Sequence, residues 1–243
     1  MNHARHGRNA GDGSPGAMKG TQPMNMKFYM TPGSCSTGIH IILEELDEIF
    51  EAYVVNLPAG DQFKPDYVAI NPKSNIPALV RPDGAVLTEV PAIAFWLGRA
   101  RGRGRLWPTN LDDETRAMET MIFVTSAIHG HGFARIFAPS AFSSDSQTHE
   151  SLRAQGRMLV EKAFSLINKS LEGKPYVAGD YSVADAVLFY VEFWADKIDL
   201  DLPKNLMAHY RMMLTRPAVD RVLREEGYRP ETLGVRGQPL AVQ

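Results

Sequence analysis

The chain has a single cysteine, Cys35, and its surroundings suggest chemistry at sulfur. It stands in the stretch TPGSCSTGIH, after a Pro-Gly turn and at the predicted start of a helix. The unpaired N–H groups and positive dipole end of a helix favour an anion, so we expect a lowered thiol pKa here. Ser34 and Ser36 would add hydroxyl donors beside the sulfur. The same geometry would stabilise a thiolate that belongs to a ligand, and a lone cysteine is also often a small buried apolar residue.

A proline directly before a predicted strand marks a second candidate position. In NPKSNIPALV, Pro77 removes one donor from the strand and suits a cis peptide bond. The backbone of Ile76 would then be free to pair with an extended ligand, as a strand pairs with a bound peptide.

An acidic residue at a strand-to-helix junction is the third candidate. Glu89, in VLTEVPAIAFWL, ends a predicted strand and opens a predicted helix. A carboxylate there either caps the helix, which the helix dipole favours, or receives the ammonium group of a ligand.

The elements that must position these residues form a short α/β unit. Lys27 begins an apolar strand, residues 35–46 repeat apolar side chains at helical spacing, and residues 50–57 form a second strand. This order predicts a βαβ unit with parallel strands. A short helix, a hairpin around RPDG and a helix from Glu89 complete the order β-α-β-α-β-β-α.

Only helices are predicted after the arginine-rich stretch RARGRGR, so the fold class is α/β + all-α. The predicted helices cover approximately residues 112–137, 147–171, 182–197, 204–215 and 217–226. The predicted segments are a disordered leader or tag (1–25), an α/β domain (26–101), a linker (102–111), an all-helical domain (112–230) and a C-terminal tail (231–243).

Composition and charge argue against several classes of partner. The 26 basic and 28 acidic residues give a net charge of −2, which provides no overall attraction to nucleic acid or to an anionic membrane. We interpret RARGRGR as a solvated linker rather than a nucleic-acid contact. No run approaches the ~20 apolar residues of a membrane span. One cysteine cannot form an internal disulfide and suits a reducing compartment, so we expect a cytoplasmic protein.

The quoted stretches, in this order, resemble the glutathione transferase family, and PGSCS is most similar to the bacterial beta class. The resemblance covers approximately residues 26–230 and implies a thioredoxin-like glutathione-binding domain over 26–101. In that family a cysteine at the position of Cys35 forms a mixed disulfide with glutathione, the co-substrate. The backbone at Ile76, before a cis-proline at Pro77, pairs with the cysteinyl backbone. An acidic residue at Glu89 binds the γ-glutamyl end.

The helical half contributes a candidate base. METMIFVTSAIHGHGF resembles the segment in which the beta class has a histidine directed at the thiol. His129 is the best match, and His131 competes because the following segment carries one extra residue. An imidazole near sulfur would stabilise the thiolate or relay a proton. The alternative is a core or solvated histidine. His-x-His without a cysteine or carboxylate at ligand spacing does not predict a metal site.

Four positions depart from the family pattern. Val90 stands where the family has serine, so only its backbone N–H is available to a ligand carboxylate. Met30 replaces a common tyrosine, Lys64 is a weak counterpart of a common lysine, and Ile122 replaces an asparagine that reaches the partner subunit. These departures motivate a second hypothesis, a non-catalytic carrier or assembly subunit on the same fold.

The resemblance implies a homodimeric transferase. It would join the glutathione thiolate to a small apolar electrophile, or exchange it with a disulfide or peroxide. Phe133, Phe137 and Trp194 are candidates for an apolar acceptor site. The sequence contains no motif that identifies the electrophile bound there.

Ser182-x-x-Asp185 is predicted to be a structural capping box.

Overall fold

The computed structural model describes residues 25–102 and 104–235. The predicted leader (1–25), apart from Asn25, lies outside the described residues. So does the end of the predicted tail, residues 236–243.

One four-stranded sheet organises the first part of the described chain, and its spatial order is β2-β1-β3-β4. The strands are β1 (Met26–Met30), β2 (Phe50–Val54), β3 (Ala78–Val80) and β4 (Val86–Thr88). β1 runs parallel to β2, whereas β3 runs antiparallel to both β1 and β4. The predicted parallel βαβ unit and the hairpin are therefore confirmed.

The alternation of side chains along β1 explains which face of the sheet carries the core. Met26, Phe28 and Met30 are buried, because every second side chain points to the same face. Tyr29 points to the other face and stacks on Tyr53 of β2 at 4.9 Å between ring centroids.

The helices account for most of the described chain. Those of the α/β part are α1 (Ser36–Glu45), α2 (Pro65–Val68) and α3 (Val90–Trp96). Those that follow are α4 (Leu111–Phe123), α5 (Ala134–Phe137), α6 (His149–Ser170), α7 (Val183–Lys197), α8 (Lys204–Leu214) and α9 (Pro217–Glu225). The predicted α/β + all-α fold class, with a thioredoxin-like first part, is confirmed. The predicted domain boundaries remain a prediction.

The predicted helix over 112–137 is continuous but not uniform. Val124–Phe133, between α4 and α5, is π-helical, a form that is rare and often found at functional sites. This segment lies tightly against α6, because a Cβ atom on Gly132 would lie 2.5 Å from Cγ2 of Val160. Glycine at this position therefore allows the two helices to approach closely.

Helix α7 forms the centre of the core, and its residues from Val183 to Ala195 are all buried. The predicted capping box closes its N-terminus. The N–H of Ser182 donates to Oδ2 of Asp185 at 2.8 Å, and the Ser182 hydroxyl oxygen accepts from the N–H of Ala184. The structural assignment of Ser182 and Asp185 is therefore confirmed.

The sheet and the helical part share one hydrophobic core, and α1 packs against both α7 and α9. Arg216 binds Glu45 through two hydrogen bonds of 2.6 and 3.0 Å. Arg101 binds Glu48 in the same bidentate way. Within the described ranges, the helices are too short or too polar to cross a lipid bilayer.

Candidate functional site

One edge of the sheet forms the floor of a cavity. β1 and β2 are parallel and end at the same edge, where β3 begins and β4 ends. Residues next to these four strand ends therefore lie side by side. Together with the π-helical segment and α7 they enclose about 470 Å³. The lining residues are Ser34, Cys35, Leu57, Gln62, Ser74, Asn75, Ile76, Pro77, Glu89, Val90, Thr125, His129, Gly130 and Trp194.

Cys35 lies at this edge, directly before α1, and is buried. Its thiol donates to the carbonyl oxygen of Ile76, with 3.7 Å between Sγ and O. Burial raises the pKa of Cys35 to about 12, and Glu89 adds a smaller effect of the same sign. The expected lowering is therefore wrong for this structure. The free-energy cost of removing a thiolate from water outweighs the stabilisation that the thiolate gains from the backbone N–H groups of Cys35 and Ser36.

The two serines beside Cys35 differ in position. Ser36 is fully buried and lies outside the cavity lining; its hydroxyl donates to the carbonyl of Thr31 at 3.0 Å. Ser34 lines the cavity, and its hydroxyl lies 2.6 Å from that of Ser36. Both hydroxyls take part in the tight turn, because Ser34 Oγ also accepts from the N–H of Ser36 at 3.1 Å, but of the two serines only Ser34 lines the cavity.

The backbone at Ile76 and Pro77 is held by the loop before it. The Ile76–Pro77 peptide bond is cis, and both residues line the cavity. Tyr67 Oη donates to the carbonyl of Asn75 at 2.6 Å, and Asn71 Nδ2 donates to the same oxygen at 2.8 Å. These bonds place an ordered stretch of backbone beside the Cys35 sulfur.

Glu89 stands where β4 passes into α3, with a left-handed φ of 70°. Glu89 lines the cavity, and its carboxylate accepts from Lys73 Nζ at 2.7 Å; the same ammonium donates to Thr88 Oγ1 at 2.9 Å. Val90 follows as the first residue of α3, so its backbone N–H belongs to the group that a helix leaves without an intrahelical partner. The junction thus offers an acid that accepts an ammonium group and an adjacent amide donor.

The π-helical segment carries His129 into the cavity, whereas His131 is exposed and lies outside the lining. Nδ1 of His129 lies 3.3 Å from the hydroxyl of Tyr190, and its ring is edge-on to Trp194 at 4.9 Å. Burial lowers the pKa of His129 to about 4, so the imidazole is neutral at pH 7. A neutral imidazole can accept a proton or hydrogen bond from a thiol.

Two residues from the helical part hold the turn before Cys35, and sequence reasoning missed this contact. Trp194 Nε1–H donates to the carbonyl of Gly33 at 2.7 Å, and the N–H of Gly33 donates to Oε2 of Glu226 at 2.7 Å. Gly33 has φ 72°, and a Cβ atom there would lie 2.0 Å from the Tyr228 hydroxyl. Both backbone polar groups of Gly33, its N–H and its carbonyl, are therefore hydrogen-bonded to side chains from the helical part.

Other lining residues were missed for different reasons. Ser74 and Asn75 directly precede Ile76, and Thr125 lies one helical turn before His129, so proximity in sequence would have indicated them. Gln62, in the loop after β2, also lines the cavity and had no such signal. Lys73 lies outside the lining, binds Glu89 at 2.7 Å and stands in the quoted stretch NPKSNIPALV.

Several expected contributors lie outside the cavity lining. Phe133 is fully buried, and Phe137 stacks on it at 5.5 Å between ring centroids. Of the three aromatic candidates for an acceptor site, Trp194 is in the lining. Lys64 is also outside and binds Asp61 at 2.6 Å.

A set of possible metal-ligating groups in the described part of the chain lies elsewhere and comprises His40, Glu44 and Glu225. Glu44 already binds Arg221 at 2.6 Å, and His40 Nδ1 lies 3.0 Å from Glu226. These contacts assign the groups to the packing of α1 against α9.

Two family models match the chain. The model described as Glutathione S-transferase, N-terminal domain, matches residues 33–100, and that described as Glutathione S-transferase, C-terminal domain, matches residues 116–217. Among curated proteins, Glutathione S-transferase GstA of Escherichia coli O157:H7 is 32% identical over 211 residues, which covers 83% of this chain and 99% of that protein. Glutathione S-transferase GST-4.5 of Xanthomonas campestris pv. campestris is 29% identical over 209 residues, with 83% and 99% covered.

Solved structures show the same likeness. The bacterial beta class glutathione S-transferase of Sphingomonas chungbukensis has a TM-score of 0.72 at 29% identity, covering 84% of this chain and 100% of that one. A glutathione transferase homologue from Sulfitobacter, solved with bound glutathione, has a TM-score of 0.77 at 28% identity, covering 83% and 98%. Because both halves of the chain match models of one family in the same order, the chain belongs to the glutathione S-transferase family.

Proposed function

We propose that the cavity binds glutathione along the edge of the sheet, with the glutathione sulfur between Cys35 and His129. The observation that carries this proposal is the shared lining of one cavity by Glu89, the Ile76 backbone, Cys35 and His129. In this arrangement Glu89 receives the ammonium group, the N–H of Val90 faces the neighbouring carboxylate, and Ile76 pairs with the cysteinyl backbone. Relatives solved with bound glutathione support the choice of ligand.

The proposed conjugation step begins with the loss of the thiol proton of glutathione. Neutral His129 accepts a hydrogen bond from this thiol, and the thiolate that forms raises the proton affinity of the imidazole by attraction of opposite charges. The Ser34 hydroxyl turns from Ser36 toward the sulfur. The thiolate then attacks an electrophilic carbon, a carbon–sulfur bond forms, and the leaving group departs with its electron pair.

A second proposed reaction uses Cys35 itself. Its thiolate attacks the glutathionyl sulfur of a disulfide between glutathione and a second thiol, which forms a mixed disulfide of Cys35 with glutathione and releases the second thiol as a thiolate. A glutathione thiolate then attacks the mixed disulfide, releases Cys35 and forms oxidised glutathione. The two reactions share the glutathione site but differ in their nucleophile.

Intact-mass spectrometry with oxidised glutathione tests the proposed site. We expect one glutathionyl group on Cys35, at a rate that increases with pH between about 5 and 9 because the buried thiol must ionise. The Cys35→Ala variant should lose this adduct and retain part of the conjugating activity toward an activated aryl chloride. Equal loss of both activities would make Cys35 the single catalytic group. No adduct and no glutathione binding would favour the carrier hypothesis.

The proposed electrophile site lies on the wall opposite the sheet edge, where Thr125, Gly130 and Trp194 complete the cavity. This wall is formed by the π-helical segment and α7. The indole ring supports a small apolar electrophile as substrate, because aromatic faces contribute large apolar contact area.

The proposed assembly is a homodimer formed through β4, α3, α4 and α6. Large apolar side chains are exposed on each of these elements, namely Val86, Phe95, Ile122 and Leu166. Sedimentation should give twice the chain mass of 27.0 kDa. Ile122→Glu should yield monomers, whereas Phe63→Glu, beyond the opposite edge strand β2, should not. A monomeric parent protein would refute the proposal.

We further propose a cytoplasmic location, supported by the single reduced cysteine.

A further inference from the structure

Gln62 is a polar cavity residue that the reactions above leave unused. It lies in the short helical turn Asp61–Phe63 after β2 and lines the same cavity as Cys35. Its Oε1 is buried and has no hydrogen-bond partner among the described residues. Buried amide oxygens in folded proteins nearly always have a partner. A group from a bound ligand would provide one.

The order of the strands indicates which part of the ligand meets Gln62. Along the edge of the sheet, Gln62 follows β2, Cys35 follows β1, Ile76 precedes β3 and Glu89 follows β4. Neighbouring strands are ~4.8 Å apart, so the four strand ends span about 14 Å. An extended tripeptide with its terminal groups covers such a distance. With the ammonium group at Glu89 and the cysteinyl group at Ile76, the glycyl end reaches Gln62. This step rests on the proposed function.

The described lining residues include no lysine or arginine that could pair with a glycyl carboxylate. Lys64, two residues from Gln62, is two-thirds exposed and binds Asp61 at 2.6 Å. Lys73 binds Glu89 at the opposite end of the row. A carboxylate that enters would lose its hydrating water and gain only the uncharged amide of Gln62 as a partner. Transfer of an anion from water to a site without a cation is unfavourable.

An uncharged glycyl end fits this environment better. A carboxamide carries N–H donors for the unpartnered Oε1 of Gln62 and an oxygen that can accept from its Nε2. A carboxylate has no donor for Oε1. The side chain of Gln62 can therefore form two hydrogen bonds with a primary amide, one accepted by Oε1 and one donated by Nε2. With a carboxylate it can form only the bond that Nε2 donates.

We propose that Gln62 binds the glycyl end of the peptide as a neutral group. The site then accepts thiols of the glutathione type in which an amide replaces the glycyl carboxylate. It binds them with an affinity at least equal to its affinity for glutathione. The site selects for the γ-glutamyl end and the cysteinyl backbone and accepts an uncharged glycyl end.

Calorimetric titration of the full chain with glutathione and with glutathione amide, under reducing conditions, tests the proposal. We expect the amide to bind at least as tightly as glutathione. Glutathione that binds more tightly than the amide would overturn the proposal and leave the proposed function intact; a charged hydrogen bond in place of a neutral one would give a preference of about fivefold. Failure of both thiols to bind would refute the proposed function itself.

Variants then assign the effect to Gln62. The isosteric Gln62→Glu places a carboxylate opposite the glycyl end, so we expect glutathione to bind about fivefold to tenfold more weakly and the amide less than about threefold more weakly. The matched control Lys64→Gln should change neither affinity by more than about twofold. Equal weakening of both thiols by Gln62→Glu would indicate a purely structural role. A selective loss of glutathione binding in Lys64→Gln would identify Lys64 as the missing cation. Either result would refute the proposal.

Discussion

The indole N–H of Trp194, in the central helix α7, donates to the backbone carbonyl of Gly33 at 2.7 Å, two residues before Cys35. Trp194 also lies edge-on to His129, so one side chain connects the candidate base with the turn that carries the thiol. The position of Cys35 therefore depends on the helical half of the molecule as well as on the sheet.

Loss of the Trp194 hydrogen bond should destabilise the protein and weaken glutathione binding. Trp194→Phe keeps an aromatic ring but leaves the Gly33 carbonyl without its donor, which should cost about 1–3 kcal/mol in the free energy of unfolding. Trp107→Phe is the matched control, because Nε1 of Trp107 is buried without a hydrogen-bond partner among the described residues. Urea denaturation should show the larger loss for Trp194→Phe. Equal losses would mean that ring volume alone matters.

The carboxylate of Glu226 should be required for the same turn. Its Oε2 accepts from the Gly33 N–H and from the Thr37 hydroxyl, both at 2.7 Å. Glu226→Gln replaces one carboxylate oxygen by an N–H₂ group that cannot accept, so we expect a loss of about 1.5–3 kcal/mol in unfolding free energy and faster alkylation of Cys35. Glu225→Gln, at the exposed neighbouring position, should leave both measurements near the parent values. A parent-like Glu226→Gln would contradict this role.

The thiol of Cys35 should behave as an ordinary unreactive cysteine before glutathione binds. Because burial raises the pKa of Cys35 to about 12, the rate of alkylation by iodoacetamide should still increase above about pH 9. The same protein unfolded in urea should show a midpoint near ~8.5, the value of a free cysteine. A plateau below about pH 7 in the folded protein would show instead that the helix N-terminus dominates.

His129 should act as a neutral group throughout the ordinary pH range. With its pKa lowered to about 4 by burial, kcat/KM for conjugation should show no histidine titration near pH 6.5. His129→Asn should reduce kcat by about 100-fold, the lower range for a positioned base. His131→Asn is the control, because His131 is exposed and outside the cavity. A rise of kcat/KM with a midpoint near 6.5 would contradict a neutral His129.

The buried His209 should make stability depend on alkaline pH. Its ring nitrogens lie 2.8 Å from Glu192 and 3.2 Å from Asp185. Although burial itself acts in the opposite direction, these two carboxylates raise the pKa of His209 to about 10. A raised folded-state pKa stabilises the protein fully below the unfolded value of ~6.5, and this contribution is lost as the pH rises through about 10.

Urea titrations at several pH values test this linkage. His209→Gln should lower the unfolding free energy at neutral pH by about 3–5 kcal/mol, because it leaves buried carboxylates without their cation. It should also remove most of the decline between about pH 7 and 10. His131→Gln should preserve the parent curve. A parent protein whose stability does not change over this range would contradict a charged His209.

Local patterns predicted the parts of the fold that local physics controls. The alternation in β1, the turn before Cys35, the proline before β3 and the capping box at Ser182 each depend on neighbours within a few residues. Cys35, the Ile76–Pro77 backbone and Glu89 could be nominated in this way, His129 was indicated by the family resemblance of its segment, and the structure brings all of them to one cavity.

Other features depend on which distant segments meet, and no local pattern encodes them. Glu226 lies 193 positions after Gly33, and Trp194 lies 161 positions after it. The shift in the Cys35 pKa has the same origin, because the extent to which the packed structure excludes water from the sulfur decides it.

By itself, therefore, the sequence determined the element order, the fold class and the residue types available for sulfur chemistry. Only the tertiary structure decided that Ser36 is buried in the turn while Ser34 lines the cavity, that His129 rather than His131 lines it, and that Gln62 is among the described lining residues. The physical reason is that backbone propensity and hydrophobic spacing act over a few residues. Burial, charge partnership and hydrogen-bond competition are settled where segments far apart in sequence come into contact.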